Sequence, residues 1–228
     1  MSGYERLKSR EVSRLCHFTK LQNLTHILAT EDGIIASGSI QQDTKNVNDI
    51  ARYDGELDYV CCTIEYPNSW FLNSAIRSDI DKIFKDWVVL CIDLDVLLVR
   101  SAKFCECNAS KAHGQFIQND FENVDQIFAD RVSSFQWPRT PKMLLCCPTN
   151  GQAEVLVKDN IPRQFITGII VGNFDIAERV YAMQKFYGIS KIPICIAPDV
   201  LSTSWSGMIK QGNRPQEQQY LWPEEVEL

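Results

Sequence analysis

Apolar side chains along this chain recur at two spacings, and each spacing predicts its own kind of element. In "TKLQNLTHILAT" Leu21, Leu24, Ile27 and Leu28 repeat with a helical period, so residues 19–30 are expected to form the first helix. Thr19 followed by Gln22 fits a capping box, and Gly33 ends the element. Residues 36–56, "ASGSIQQDTKNVNDIARYDGE", are polar and rich in turn formers, which predicts a long loop; such loops in compact domains are often functional. Apolar residues return in "LDYVCCTIEY", a strand stopped by Pro67 and Asn68, and in "WVVLCIDL", a second strand. The stretch 100–141 mixes helical pieces and turns with no sustained period. "KMLLCCP" and "QAEVLV" read as two short strands joined by the turn "PTNG". "ITGIIV", "DIAERVYAMQKFYG" and "KIPICI" read as strand, helix and strand. Strands dominate and helices decorate them, so the class expected is α+β. The polar, acidic end from "SGMIKQGNRPQEQQ" to "PEEVEL" is expected at the periphery.

Composition narrows the classes. No repeat, low-complexity tract or Pro/Gly linker divides the 228 residues, which predicts one domain over 1–228 with its core at about 12–200. With 45% hydrophobic and 23% charged residues the chain is ordinary globular material. A formal charge of −6 argues against coating nucleic acid by bulk electrostatics, though an enzyme that grips a short strand through local contacts stays possible. No export signal is visible, and the most apolar run, "WVVLCIDLDVLLV", is interrupted by Asp93 and Asp95 and too short to span a bilayer. A soluble, cytoplasmic protein without membrane contact is expected. Nine cysteines are an odd number, so Cys61–Cys62 and Cys146–Cys147 read as buried, reduced thiols in strands. "CEC" at 105–107 has no partner at zinc-site spacing, so no metal is expected.

One residue breaks the apolar pattern in a way that raises a chemical question. Glu154 lies within the short strand "QAEVLV", and strand alternation turns Gln152 to the same face. A carboxylate there needs a solvated face or a hydrogen-bonding role. An edge strand with one wet face satisfies the first condition. A cleft wall that binds a sugar hydroxyl or stabilises a developing cation satisfies the second. Elsewhere, His17 with Thr19 fits a helix start with a capping threonine, and Arg52 in the long loop fits a solvated charge. No fragment decides alone.

Read together and in order, "CHFTKLQNLTHIL…GIIAS", "DYVCCTIEYPNSWF", "WVVLCID…FCECNAS" and "CPTNGQAEVLV…IP" resemble the DarT family of bacterial toxins, NAD-dependent ADP-ribosyltransferases that modify bases in DNA. The resemblance spans roughly residues 12 to 175, and "IEYPNSWF" is closer to the guanine-modifying branch than to the thymine-modifying one. It departs from the family in having Cys16 where Tyr commonly precedes the histidine, and in lacking an obvious basic track. The resemblance implies an ADP-ribosyltransferase-like core of two small antiparallel sheets forming an NAD cleft, with peripheral helices. It implies NAD as substrate, His17, Thr19, Asn23, Gly33 and Arg52 at the cofactor, and residues 36–52 covering it. Glu154 and Arg52 would be catalytic, with Gln152 and Asn68 at the acceptor. The acceptor implied is guanine in single-stranded DNA, with Trp70, Phe71 and Trp137 as candidates to stack on a splayed base. The alternatives are RNA as acceptor, or a binding module that has lost turnover. A toxin of this type implies a cognate antitoxin of the macrodomain kind.

Overall fold

A computed structural model describes residues 1–39, 53–78 and 85–223. Helix α1 (Gly3–Ser9) starts on a capping box, in which Ser2 Oγ accepts the Glu5 N–H and the Glu5 carboxylate accepts the Ser2 N–H. The chain then enters β1 (Leu15–Lys20), so "LCHFTK" is a strand. Thr19 lies in it and caps nothing. The helix expected over 19–30 is a 3-10 turn at Leu21–Asn23 followed by α2 (Leu24–Ala29), with Leu24 and Leu28 buried. Gly33, at φ +65°, lets the chain leave α2 against the segment 161–163; a β-carbon there would lie 2.2 Å from the Ile161 carbonyl oxygen.

The remaining elements are β2 (Ile34–Ile35), β3 (Tyr59–Ile64), α3 (Ser69–Ser78), β4 (Trp87–Ile92), α4 (Val96–Val99), β5 (Ala102–Cys105), β6 (Ile117–Gln118) and β7 (Glu154–Lys158). They are followed by β8 (Asn160–Ile161), β9 (Ile166–Val171), α5 (Phe174–Phe186), β10 (Ile194–Ile196), α6 (Pro198–Leu201), α7 (Trp205–Lys210) and β11 (Gln218–Gln219). The expected strand–helix–strand at 166–196 is β9–α5–β10. Its two strands run parallel, as a helical crossover requires.

Two small sheets were expected; the described residues form one sheet of nine strands and one of two. The order is β11-β10-β9-β4-β1-β3-β7-β5-β6, with β2-β8 apart. The reason lies in β1, which hydrogen-bonds on both sides. Against β4 it pairs along its full length, from Leu15↔Ile92 to Lys20↔Trp87. Against β3 it pairs only at Leu15↔Ile64 and Cys16↔Thr63, while β3 goes on to pair with β7 from Thr63↔Glu154 to Tyr59↔Lys158. Strands β1 and β3 therefore share a ladder at one end and part at the other. The sheet is continuous, yet it opens a split between His17–Lys20 and Tyr59–Cys62.

Ion pairs fasten the closed end of that split. Glu65 follows β3 in a left-handed conformation (φ 64°) and is buried. Its carboxylate accepts from Ser13 N at 2.9 Å, from the Ser13 hydroxyl and from Arg214 Nη1 at 2.8 Å. Arg14 donates to both oxygens of Glu217, at 2.8 and 2.5 Å. The described part of the polar end, up to residue 223, meets the sheet through β11, and Trp205, Tyr220 and Trp222 are buried. "KMLLCCP" is not a strand. Its backbone turns around Arg139, whose guanidinium donates to the carbonyls of Cys147 and Leu144 at 2.6 Å each. The cysteines at 146 and 147 are buried there outside any strand, and none of the nine cysteines forms a disulfide. Among the described residues no helix is long and apolar enough to cross a membrane.

Candidate active site

The split between β1 and β3 is a cleft of about 330 Å³. Seven residues singled out from the sequence line it together: His17, Thr19, Asn23, Gly33, Asn68, Phe71 and Glu154. Arg52 lies outside the described residues. Gln152 is brought elsewhere. Strand β7 begins at Glu154, so Gln152 sits in the turn before it, shares no strand face with the carboxylate, and lines a neighbouring cavity.

Glu154 answers the question its position raised. It is not on an edge strand with a wet face: β7 lies between β3 and β5, with Glu154 paired to Thr63 on one side and Cys105 on the other, and the residue is 5% exposed. The loop after β5 supplies hydrogen bonds to the buried charge. Asn108 Nδ2 donates to Oε1 at 3.0 Å and the Ala109 N–H to Oε2 at 2.9 Å. Hydrogen bonds to a charged acceptor are strong enough to offset much of its desolvation. They also fix where the carboxylate points.

His17 bridges the two walls of the split. Its Nδ1 lies 2.9 Å from the Cys61 carbonyl oxygen on β3. A carbonyl can only accept, so Nδ1 carries the proton and, in the neutral ring, Nε2 is the acceptor nitrogen. Two residues on, Thr19 Oγ1 accepts from Asn23 Nδ2 at 3.0 Å, coupling the strand to the turn before α2. Asn68 caps α3: its Oδ1 accepts the Phe71 N–H at 3.1 Å. Its Nδ2 is buried with no hydrogen-bond acceptor among the described residues. An orphaned buried donor is costly, and cleft ligands with a carbonyl can relieve it.

Charge in the cleft is one-sided. Asp54 and Glu154 line it, and no Lys or Arg does so among the described residues. Burial, reinforced for Cys62 by the charge of Glu154, pushes the Cys62 thiol well up; burial does the same to Cys16. Both stay protonated at neutral pH and are poor nucleophiles. No group of three metal-ligating side chains is gathered among the described residues. Asn108 and the Ala109 N–H were not marked by the sequence. Their contribution depends on a loop folding across a strand 45 residues later in the chain, and neither residue type announces that. Nor does the sequence single out Tyr59, His26 or Ser110, which also line the cleft.

The fold that carries this cleft is similar to that of several solved structures. A structure of Thermus sp. 2.9 DarT in complex with ADP-ribosylated ssDNA is similar with a TM-score of 0.61, 19% identity, and coverage of 83% of this chain and 96% of that one. Thermus sp. 2.9 DarT in complex with NAD+ is similar at 0.58 and 20% identity, covering 83% of this chain and 98% of the other. For Thermosipho africanus DarTG in complex with ADP-ribose the figures are 0.57 and 17%, covering 83% of this chain and 51% of that longer one. Those identities speak for the fold. No curated protein matches the sequence. The family described as "DarT: ssDNA thymidine ADP-ribosyltransferase" matches residues 16–202. The chain belongs to the DarT family of single-stranded-DNA ADP-ribosyltransferases.

Proposed function

We propose that the cleft holds NAD with its nicotinamide–ribose bond beside Glu154, and that ADP-ribose passes from it to guanine in single-stranded DNA. The observation that carries this is Glu154 itself: a buried carboxylate aimed by Asn108 and Ala109 on a cleft wall opposite His17. Breaking the glycosidic bond sends the electron pair to the nicotinamide, which leaves neutral, and positive charge grows on the ribose. Glu154 stabilises that charge and hydrogen-bonds a ribose hydroxyl. A base nitrogen then supplies the new electron pair to the ribose carbon and gives up a proton, which Glu154 helps to remove. His17 accepts a ribose hydroxyl through Nε2, and Thr19 and Asn23 hold the nicotinamide-bearing half. Gly33 lets the backbone come close to the cofactor. The diphosphate needs a cation, none lines the cleft among the described residues, and Arg52 is our candidate. Asn68 Nδ2 has a donor to offer a carbonyl of the acceptor.

Guanine is our reading of "IEYPNSWF", whereas the family description names thymidine. A toxin role, with a macrodomain antitoxin that removes the modification, completes the proposal. Labelled NAD offered with single strands lacking guanine, single strands lacking thymine, duplexes and RNA tests it. Label confined to guanine-containing single strands is expected. Label on strands without guanine moves the acceptor to another base, label on RNA changes the polymer, and no label on any of them overturns the proposal.

A further inference from the structure

A second cavity has a volume of about 180 Å³. Two short segments contribute to both cavities. The start of α3 gives Asn68 and Phe71 to the cleft and Trp70 to the second cavity, while the lead into β7 gives Glu154 to one and Gln152 to the other. Three aromatic rings, Trp70, Phe135 and Trp137, line the second cavity. Trp70 is held in place by an edge contact to Trp205 at 5.7 Å between centroids. Trp205 in turn stacks on Tyr66 and donates from its indole nitrogen to Ser69 Oγ at 2.8 Å. Gly151 passes directly against both tryptophans; a β-carbon there would meet Trp205 at 2.8 Å and Trp70 at 3.3 Å. Trp137, by contrast, is 60% exposed. Lys210 also lines the cavity, its ammonium 5.8 Å from the Phe135 ring centre, with no carboxylate partner among the described residues. The side-chain amide of Gln152 makes no hydrogen bond to the described residues.

We infer that this cavity takes the base of a nucleotide flanking the one that reacts. Fixed and exposed aromatic faces offer a stacking slot for any base, a lone lysine suits the adjoining phosphate, and an uncommitted amide suits a base edge. Spacing agrees: the backbone at Gln152 and at Glu154 is at most about 7 Å apart, so a strand reacting at one reaches the other within one or two nucleotides. The inference rests on the acceptor being single-stranded DNA, and it gives Trp137 the task of holding the neighbouring base and Gln152 that of reading its edge.

The test uses single strands with one reactive base and an abasic site at each nearby position in turn, against the intact protein, Trp137→Ala and Trp137→Phe. Binding is read separately by fluorescence anisotropy of the same strands without NAD. One abasic position is expected to cut kcat/KM of the intact protein by about 5- to 100-fold. Trp137→Ala is expected to lose as much on the full strand and no more than about twofold further on that abasic strand, with Trp137→Phe recovering part of the loss. Equal rates on every abasic strand, or a Trp137→Ala loss that is the same on all of them, overturns the inference. Absence of any labelling, with binding that still depends on Trp137 and one flanking base, removes the transfer reading and leaves the slot. Absence of both removes the two together.

Discussion

Glu154 and Asn108 show what a single position can and cannot reveal. A glutamate between alanine and valine in a short apolar run is anomalous on sight, because a buried carboxylate demands compensation. What compensates it is not visible in the sequence, since Asn108 resembles any loop asparagine until the loop after β5 folds over β7. If the carboxylate's aim matters, Asn108→Ala lowers kcat by about ten- to a hundredfold with KM for NAD changed by less than about threefold, the size expected for losing a hydrogen bond to a charged group. A KM rise at constant kcat would mean that Asn108 holds the ligand instead. His17 sits between these cases. Its type and order were legible, but the Cys61 carbonyl that sets its tautomer was not.

At the scale of elements, the two misreadings have different physical origins. "LCHFTK" precedes an apolar repeat at helical spacing, and Thr19 is a residue type that caps helices well. The strand wins because β1 pairs with β4 along its full length, through Thr19 and Lys20, a tertiary gain that local spacing does not encode. "KMLLCCP" has strand composition, yet one arginine replaces the ladder by donating to the carbonyls of Leu144, Leu145 and Cys147. Arg139→Ala is therefore expected to lower stability by about 2 kcal/mol, a fall of about 4–8 °C in Tm, and to speed labelling of Cys146 and Cys147. Unchanged melting and labelling would show that the turn holds without the arginine. The strand–helix–strand at 166–196 was legible throughout, because its periods are clean.

The whole molecule adds what neither residues nor elements carry: where the sheet is closed and where it opens. Arg14, Glu65, Arg214 and Glu217 fasten the end where β1 and β3 pair, and the cleft occupies the end where they part. Two sheets were expected from the family resemblance, and the functional content of that picture survives as a split within one sheet. Net charge is also a whole-molecule property. A net charge of −6 argues against holding DNA through a broad electrostatic field and for a few local contacts. Affinity for single strands is expected to fall with salt at a log–log slope of only about −1.5 to −3, as for two to four phosphate contacts at roughly −0.7 each. A slope steeper than about −5 would reveal an extensive basic track.

The most direct measurement compares Glu154→Gln with the unaltered protein for NAD affinity and for label transfer to single-stranded DNA in one preparation. Transfer is expected to fall by about a hundredfold or more while the Kd for NAD shifts by less than about threefold, as befits a group that acts on charge developing in the transition state. Near-normal transfer, or a loss that weaker NAD binding fully explains, would contradict the role given to Glu154.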